Sequence, residues 1–337
     1  MLSSPVFIVG AGRSGTTLVR SLLSAHSRMV VPPETYFLSN AESYGGLNQC
    51  DPARCEAFWQ SYVTNQRFLD LEVEPERCQQ IAAQCSTHNG MAALFLGTLE
   101  AYRERHGKPR IGEKTPDHVR FVSLILTNFP DARVLIMQRD PRAVVASQLR
   151  MPWSSYHAPS LKRGLILHTR FHRVAWHALV WNRIYARILP SIRDDQRVHV
   201  VKYEDLVNEP APLLQGICDF LGETFEETML TERSKSTVPE FAALDKLESR
   251  MRAWTIEHHQ RSLQAIDGTA LDAWKMELHP SEVALIEGCC AGAMREAGYK
   301  PTSGDISRRT LSTLATPAWL MARVERRARR MMSQPLS

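Results

Sequence analysis

The sequence predicts an α/β fold with a central parallel sheet flanked by helices, and three observations carry that prediction. Short apolar runs recur along the chain: Val6-Phe7-Ile8-Val9, Met29-Val30-Val31, Arg133-Val-Leu-Ile-Met137 and Val198-His-Val-Val201. Long stretches with apolar residues at helical spacing follow each run, the alternation that builds parallel strands joined by crossover helices. A glycine-rich stretch, Gly10-Ala-Gly-Arg-Ser-Gly15, directly follows the first run. Sheets of this kind bind ligands there, beyond the carboxyl ends of their strands.

Element by element, Val6–Val9 reads as a buried strand, and Leu18, Leu22, Leu23 and Ala25 recur at helical spacing after the glycines, giving strand, loop and helix. Met29–Val31 is a second strand, stopped by Pro32-Pro33. Residues 40–110 are polar and weakly periodic, and read as a helical insertion outside the sheet. The turn signal Pro130-Asp131 introduces a third strand at 133–137. Pro190 closes a long helical pattern before a fourth strand at 198–201. Residues 1–303 are expected to form one domain with a helical C-terminal region, and residues 304–337 a basic amphipathic tail.

Composition is that of a globular chain, 44% hydrophobic and 23% charged. The net charge of +5 belongs to the tail, where seven arginines face only Asp305 and Glu325, so the body is neutral. A body that bound nucleic acid would be expected to carry a basic balance of its own. No apolar run approaches the length of a spanning helix, and the start has no basic n-region. The expected location is cytoplasmic. The seven cysteines fit no familiar zinc spacing and read as free, mostly buried thiols. His168 and His172, followed by His177, invite a metal reading because the i,i+4 spacing puts two imidazoles on one helical face, but no third Asp, Glu or Cys ligand has a suitable spacing, so no metal site is expected.

The glycine stretch opens a helix, and its amides with the helix N-terminus form an anion site. It fits the dinucleotide pattern G-x-G-x-x-G, with Glu34 near the offset of a ribose-binding acid. It also fits a P-loop, with Thr16 where the usual lysine would stand. Without that lysine, nucleoside triphosphate chemistry lacks its main charge clamp. Arg13 supplies a cation instead, and Thr16 and Thr17 supply hydroxyls. That combination suits a phosphate or sulfate handled without a metal.

From Phe7 through Leu18 the chain resembles the 5′-phosphosulfate loop of sulfotransferases that use 3′-phosphoadenosine 5′-phosphosulfate (PAPS). The resemblance extends through Pro33-Glu34-Thr35 and is to the tyrosylprotein and related bacterial branch. Val134–Arg142 followed by Ser147 is similar to that family's 3′-phosphate motif, with Arg139 and Ser147 as its phosphate ligands and Arg150 as a further basic residue nearby. An arginine fork is well shaped for a phosphate dianion. Tyr203-Glu-Asp-Leu206 resembles the element that lies against the nucleotide, and Trp274-Lys275 the late segment that closes over it. Gly112-Glu-Lys114-Thr-Pro-Asp-His118 resembles the family's Lys-Thr-Pro element.

The resemblance implies a P-loop-like sheet and metal-independent, in-line transfer of a sulfuryl group from PAPS to a hydroxyl or amine acceptor, releasing adenosine 3′,5′-bisphosphate (PAP). Arg13, Ser14, Gly15, Thr16 and Thr17 would hold the 5′-phosphosulfate, and Arg139, Ser147, Tyr203 and Lys275 the nucleotide. Lys114 would stabilise the bridging oxygen. Glu34 is the first candidate for general base and His118 the competing one. Two other classes stay open, an NAD(P)-dependent oxidoreductase on the same loop and a non-catalytic sulfonucleotide-binding protein. The acceptor is a small molecule, carbohydrate, lipid or peptide, with Trp153, Tyr156, Phe171 and Trp254 as candidate pocket residues. The tail places arginines and apolar residues on opposing arcs, an arrangement that can lie on an anionic membrane surface.

Overall fold

The computed structural model describes residues 4–86, 90–151, 170–232, 266 and 268–303. The chain divides into two compact units, Met1–Gln138 with Ile192–Ile266, and Arg139–Ser191 with Asp267–Ser337. The first unit holds the whole sheet, whose strands are β1 (Val6–Gly10), β2 (Met29–Val30), β3 (Arg110–Lys114), β4 (Arg133–Gln138) and β5 (Val198–Lys202). Their order is β2-β3-β1-β4-β5, and every pairing is parallel.

Side-chain alternation along β1 divides the core. Val6 and Ile8 join Val19, Leu22, Leu23, Leu135, Met137, Leu214 and Ile217 on one face, under the helices α1 (Thr16–Ser24) and Pro210–Leu221. Phe7 points to the other face, with ring centroids 6.1 Å from Phe95 and 6.0 Å from Phe129. With helices on both faces, β1 reads as a continuous apolar run, as central parallel strands do.

Register places Phe7 beside Glu113 and Ile8 beside Lys114, so those two β3 side chains leave opposite faces of the sheet. β3 is the strand that the apolar pattern does not reveal. It reads Arg-Ile-Gly-Glu-Lys, yet all five residues are buried. Gly112 is required by close approach, since a Cβ there would lie 2.7 Å from Val31 Cγ2. The insertion is helical, running from Phe37–Ala41 through Gly90–Arg105, and it returns to the sheet at β3.

In the second unit the helices Pro141–Leu149, Arg170–Arg183 and Pro280–Glu296 pack on one another. Arg142 is their polar tie. Its guanidinium pairs with Asp140 at 2.6 Å and Glu287 at 2.7 Å, and its Cζ lies 4.3 Å from the Trp274 ring centroid. Asp140 also caps its helix by accepting from the Arg142 amide at 2.8 Å. Removing one partner of a buried ion network strands the others. Arg142→Met should therefore lower stability by about 3–5 kcal/mol, read as a lower denaturant midpoint at unchanged slope.

All seven cysteines are free thiols. Among the described residues no helix is long and apolar enough to cross a membrane. The tail, His168, Trp153, Tyr156 and Trp254 lie outside the described residues.

Candidate active site

The order β2-β3-β1 sets three carboxyl ends side by side, and each carries part of the predicted site. The loop after β1 is built from left-handed residues, with φ 147° at Gly10, 74° at Arg13 and 96° at Gly15. Ser14 turns inward and braces the loop: its amide and hydroxyl both donate to the Ala11 carbonyl, at 3.1 and 2.6 Å. Gly15 is the N-cap of α1, whose first turn holds no acidic residue and no side-chain cap. Thr16 is buried at the first position of that helix, and Thr17 follows, partly exposed. The helix N-terminus thus presents donors and positive potential with no carboxylate of its own to answer them.

Tyr203, the first residue of the helix Tyr203–Asn208 after β5, lays its ring on Gly15. A Cβ on Gly15 would lie 2.4 Å from Tyr203 Cδ2. Gly15→Ala therefore meets both an unfavourable φ and a clash, and should lower stability by about 1–3 kcal/mol, seen as a lower Tm. Adding Tyr203→Ala should recover the clash portion and leave the backbone portion.

Glu34 leaves β2, and Lys114 ends β3. Lys114 Nζ donates to Glu34 Oε1 at 2.5 Å, with the Lys114 side chain 4% exposed and that of Glu34 23%. Burial alone would raise the Glu34 carboxyl. The charges of Lys114 and Arg67, with hydrogen bonds from Lys114 and Tyr36, outweigh it and hold Glu34 at about 2. Burial lowers the Lys114 ammonium, partly offset by Glu34. Arg20 donates to the Val31 carbonyl at 3.0 Å and adds its charge to the same pair. Arg67 lies 4.9 Å over the Tyr36 ring, and Tyr36 itself adopts φ 50°. A bulky residue in that region is a strained outlier of a kind that clusters at functional sites.

His118 is fully buried, and both ring nitrogens are engaged. Nδ1 lies 3.0 Å from Glu113 Oε2, and Nε2 accepts the Leu38 amide at 3.3 Å. The motif reading gave Glu34 and Lys114 but missed Arg20, Tyr36, Arg67 and Glu113. Tyr36 and Glu113 flank the motif residues in sequence. Arg67 is brought in by the insertion, and no local signal marks it.

The remaining predicted residues belong to the second unit. Arg139 follows β4 directly and is 8% exposed; its Nη2 donates to the Ala270 carbonyl at 2.6 Å, and its own carbonyl accepts from Trp181 Nε1 at 2.9 Å. Ser147 is buried on the helix Pro141–Leu149. Lys275 is exposed and pairs with Asp272 at 2.9 Å, and Arg150 pairs with Glu277 at 2.6 Å. Among the described residues no cluster of His, Cys, Asp or Glu is arranged to hold a metal ion.

Residues 5–227 match the model of the Sulfotransferase family. Nodulation protein NoeE of Sinorhizobium fredii is 24% identical over 303 residues, covering 87% of this chain and 65% of its own length. A protein-tyrosine sulfotransferase of Drosophila melanogaster is 24% identical over 302 residues, covering 88% and 52%. The chain thus spans less than two thirds of either relative. The sulfotransferase domain of the Synechococcus PCC 7002 olefin synthase shares the fold at a TM-score of 0.57 and 23% identity, over 88% of this chain and 95% of that one. The sulfotransferase domain from the curacin biosynthetic pathway does so at 0.56 and 20%, over 89% and 99%. With more than half of its length under one family model and its parallel sheet shared with solved sulfotransferase domains, the chain belongs to the Sulfotransferase family of enzymes.

Proposed function

We propose that this chain moves a sulfuryl group from PAPS to a hydroxyl or amine acceptor, with Glu34 as general base and Lys114 as the cation on the leaving side. The observation that carries the reading is the Lys114–Glu34 pair at 2.5 Å, set at strand ends beside a loop whose helix N-terminus has no anion of its own. The donor's anionic end fits that loop. Arg13, Thr16, Thr17 and the amide of Gly15 would hold it, with Ser14 fixing the loop's shape. Arg139, Ser147, Tyr203 and Lys275 would take the nucleotide end.

PAPS supplies a sulfur–oxygen bond that breaks as a new one forms to the acceptor. Lys114 would stabilise the charge that develops on the phosphate oxygen left behind, and Glu34 would take the acceptor's proton. By analogy with loose phosphoryl transfer, most of the catalysis is positioning and charge stabilisation. The cations the reading needs are side chains, so no metal is asked for. His118 fits the role of base less well than Glu34, because its two nitrogens are occupied inside the core.

The acceptor is a hydroxyl or amine of a small molecule, carbohydrate, lipid or peptide. The relatives named for protein tyrosine and, in mycobacteria, for an omega-hydroxy dihydromenaquinone differ widely in that partner. A cytoplasmic location with peripheral membrane contact through the tail remains part of the proposal. Equal liposome partitioning with and without residues 304–337 would remove the membrane contact.

The test is a thermal-shift titration with PAP beside NAD⁺, NADP⁺ and ATP. At 100 times Kd a ligand stabilises by about 2.7 kcal/mol, a few degrees for a chain of this size. A shift with PAP alone, followed by labelled product from radiolabelled PAPS, supports the proposal. A shift only with NAD⁺ or NADP⁺ overturns it, and PAP binding without any sulfated product across an acceptor panel favours a non-catalytic binder.

A further inference from the structure

The ladder between β2 and β3 stops early. Met29 pairs with Arg110 and Val30 with Ile111, and there the pairing ends. Pro32 and Pro33 carry no N–H, so the strand cannot continue its ladder toward Glu34. Side chains take over the connection beyond that point. Thr35 Oγ1 donates to Glu113 Oε1 at 2.9 Å, and Thr115 Oγ1 donates to the same oxygen at 2.6 Å. The Tyr36 amide donates to Thr115 Oγ1 at 3.3 Å, the Phe37 amide to Thr35 Oγ1 at 3.3 Å, and the Leu38 amide to His118 Nε2 at 3.3 Å. Tyr62 closes the set, its hydroxyl donating to the Thr35 carbonyl at 3.0 Å.

Glu113 is the hub and is wholly buried, as is His118. A buried carboxylate is costly unless every lone pair is answered. Among the described residues these donors come from two segments, the one that carries Glu34 and the one that carries Lys114. Because the Leu38 N–H points at Nε2, that nitrogen keeps its lone pair, and Nδ1 carries the proton toward Glu113.

We propose that Glu113, the hydroxyls of Thr35 and Thr115, and a neutral, Nδ1-protonated His118 form a positioning brace that replaces the missing ladder and fixes Glu34 against Lys114. None of the four touches the reacting atoms. The brace acts through Glu34, and its bearing on catalysis rests on the reading of Glu34 as the base.

The experiment reads the brace on the free protein by carboxyl-carbon NMR of Glu34 in wild type, Thr35→Val, Thr115→Val and Thr35→Ser. Lys114 held against Glu34 lowers the carboxyl, so loosening the pair lets it rise. The expected result is a Glu34 titration moved up by about one pH unit or more in the valine variants, with Thr35→Ser close to wild type. A folded valine variant whose Glu34 titrates as in wild type overturns the brace. In the wild-type chain, nitrogen NMR should find His118 neutral with the proton on Nδ1, and a proton on Nε2 likewise overturns it. These measurements need neither donor nor acceptor, so failure of PAP binding would sink the sulfotransfer reading and leave the brace standing. Where both hold, Thr35→Val should reduce kcat about tenfold with unchanged PAP affinity, and Thr35→Ser should restore it.

Discussion

Lys114→Met should lower the rate of sulfuryl transfer by about 10²–10³-fold, the range seen when one aimed donor is removed from developing charge. Methionine keeps the length of the stem and its burial and removes only the cation. Two losses then act together. The leaving phosphate oxygen loses the charge that would stabilise it, and Glu34 loses the ammonium that holds its carboxyl at about 2. Without that cation, burial pushes Glu34 upward and a larger share of the base is protonated near neutral pH. The first loss is independent of pH, while the second eases as pH rises, so the deficit should narrow toward alkaline pH. PAP binding should weaken far less than kcat, because Arg13 and the loop amides remain. Transfer from radiolabelled PAPS at saturating acceptor, beside PAP titration by calorimetry, checks both. A uniform loss in affinity with kcat unchanged would place Lys114 in ground-state binding.

Much of the sheet was legible because β1, β2 and β4 are almost wholly buried and β5 partly so, and all four write that burial as apolar runs. β3 was not legible, for a physical reason. Its Arg110, Glu113 and Lys114 are buried because partners distant in sequence help to satisfy them: Glu223 and the Leu221 carbonyl for Arg110, Thr35 for Glu113, Glu34 for Lys114. Hydropathy cannot register a charge that the fold will neutralise. The same Gly-Glu-Lys-Thr-Pro stretch carries a motif but no apolar run, although it ends the strand that sits between β1 and β2 in the sheet.

The candidate site was legible where chemistry is written in contiguous residues. The glycine loop, Glu34 after the double proline and Lys114 before Thr-Pro all sit within short motifs. Arg67 arrives on the short helix Gln66–Leu69 inside the insertion, and Arg20 on α1, so neither has a local signature. His118 shows the opposite limit. A motif names a histidine, but only the structure reveals that its nitrogens face Glu113 and Leu38.

Glu34→Gln tests the centre of the proposal and should lower kcat by about 10²–10⁴-fold, the range of general-base catalysis. The amide keeps an oxygen for Lys114, so the loop, the fold and PAP affinity should be little changed. The pH dependence fixes the assignment further. A base works ionised, so the rate falls as pH drops through its pKa. In the free protein Lys114 holds Glu34 at about 2, and kcat/KM should therefore show no acid limb from this group near neutral pH. Once Lys114 is drawn toward the leaving phosphate, it opposes the upward push of burial less strongly. The acid limb of kcat should then lie above that of kcat/KM, and Glu34→Gln should abolish it along with most of the rate. Retention of wild-type kcat in Glu34→Gln with PAP binding intact would remove Glu34 as the base. His118→Asn would not then be a clean replacement test, because that variant also cuts the bond to the Leu38 amide. The informative comparison is between Glu34→Gln and Thr35→Val, since one removes the base and the other leaves it present but less firmly held. A base acting from Glu34 predicts that the two profiles differ in kind, the acid limb vanishing in the first and moving to higher pH in the second.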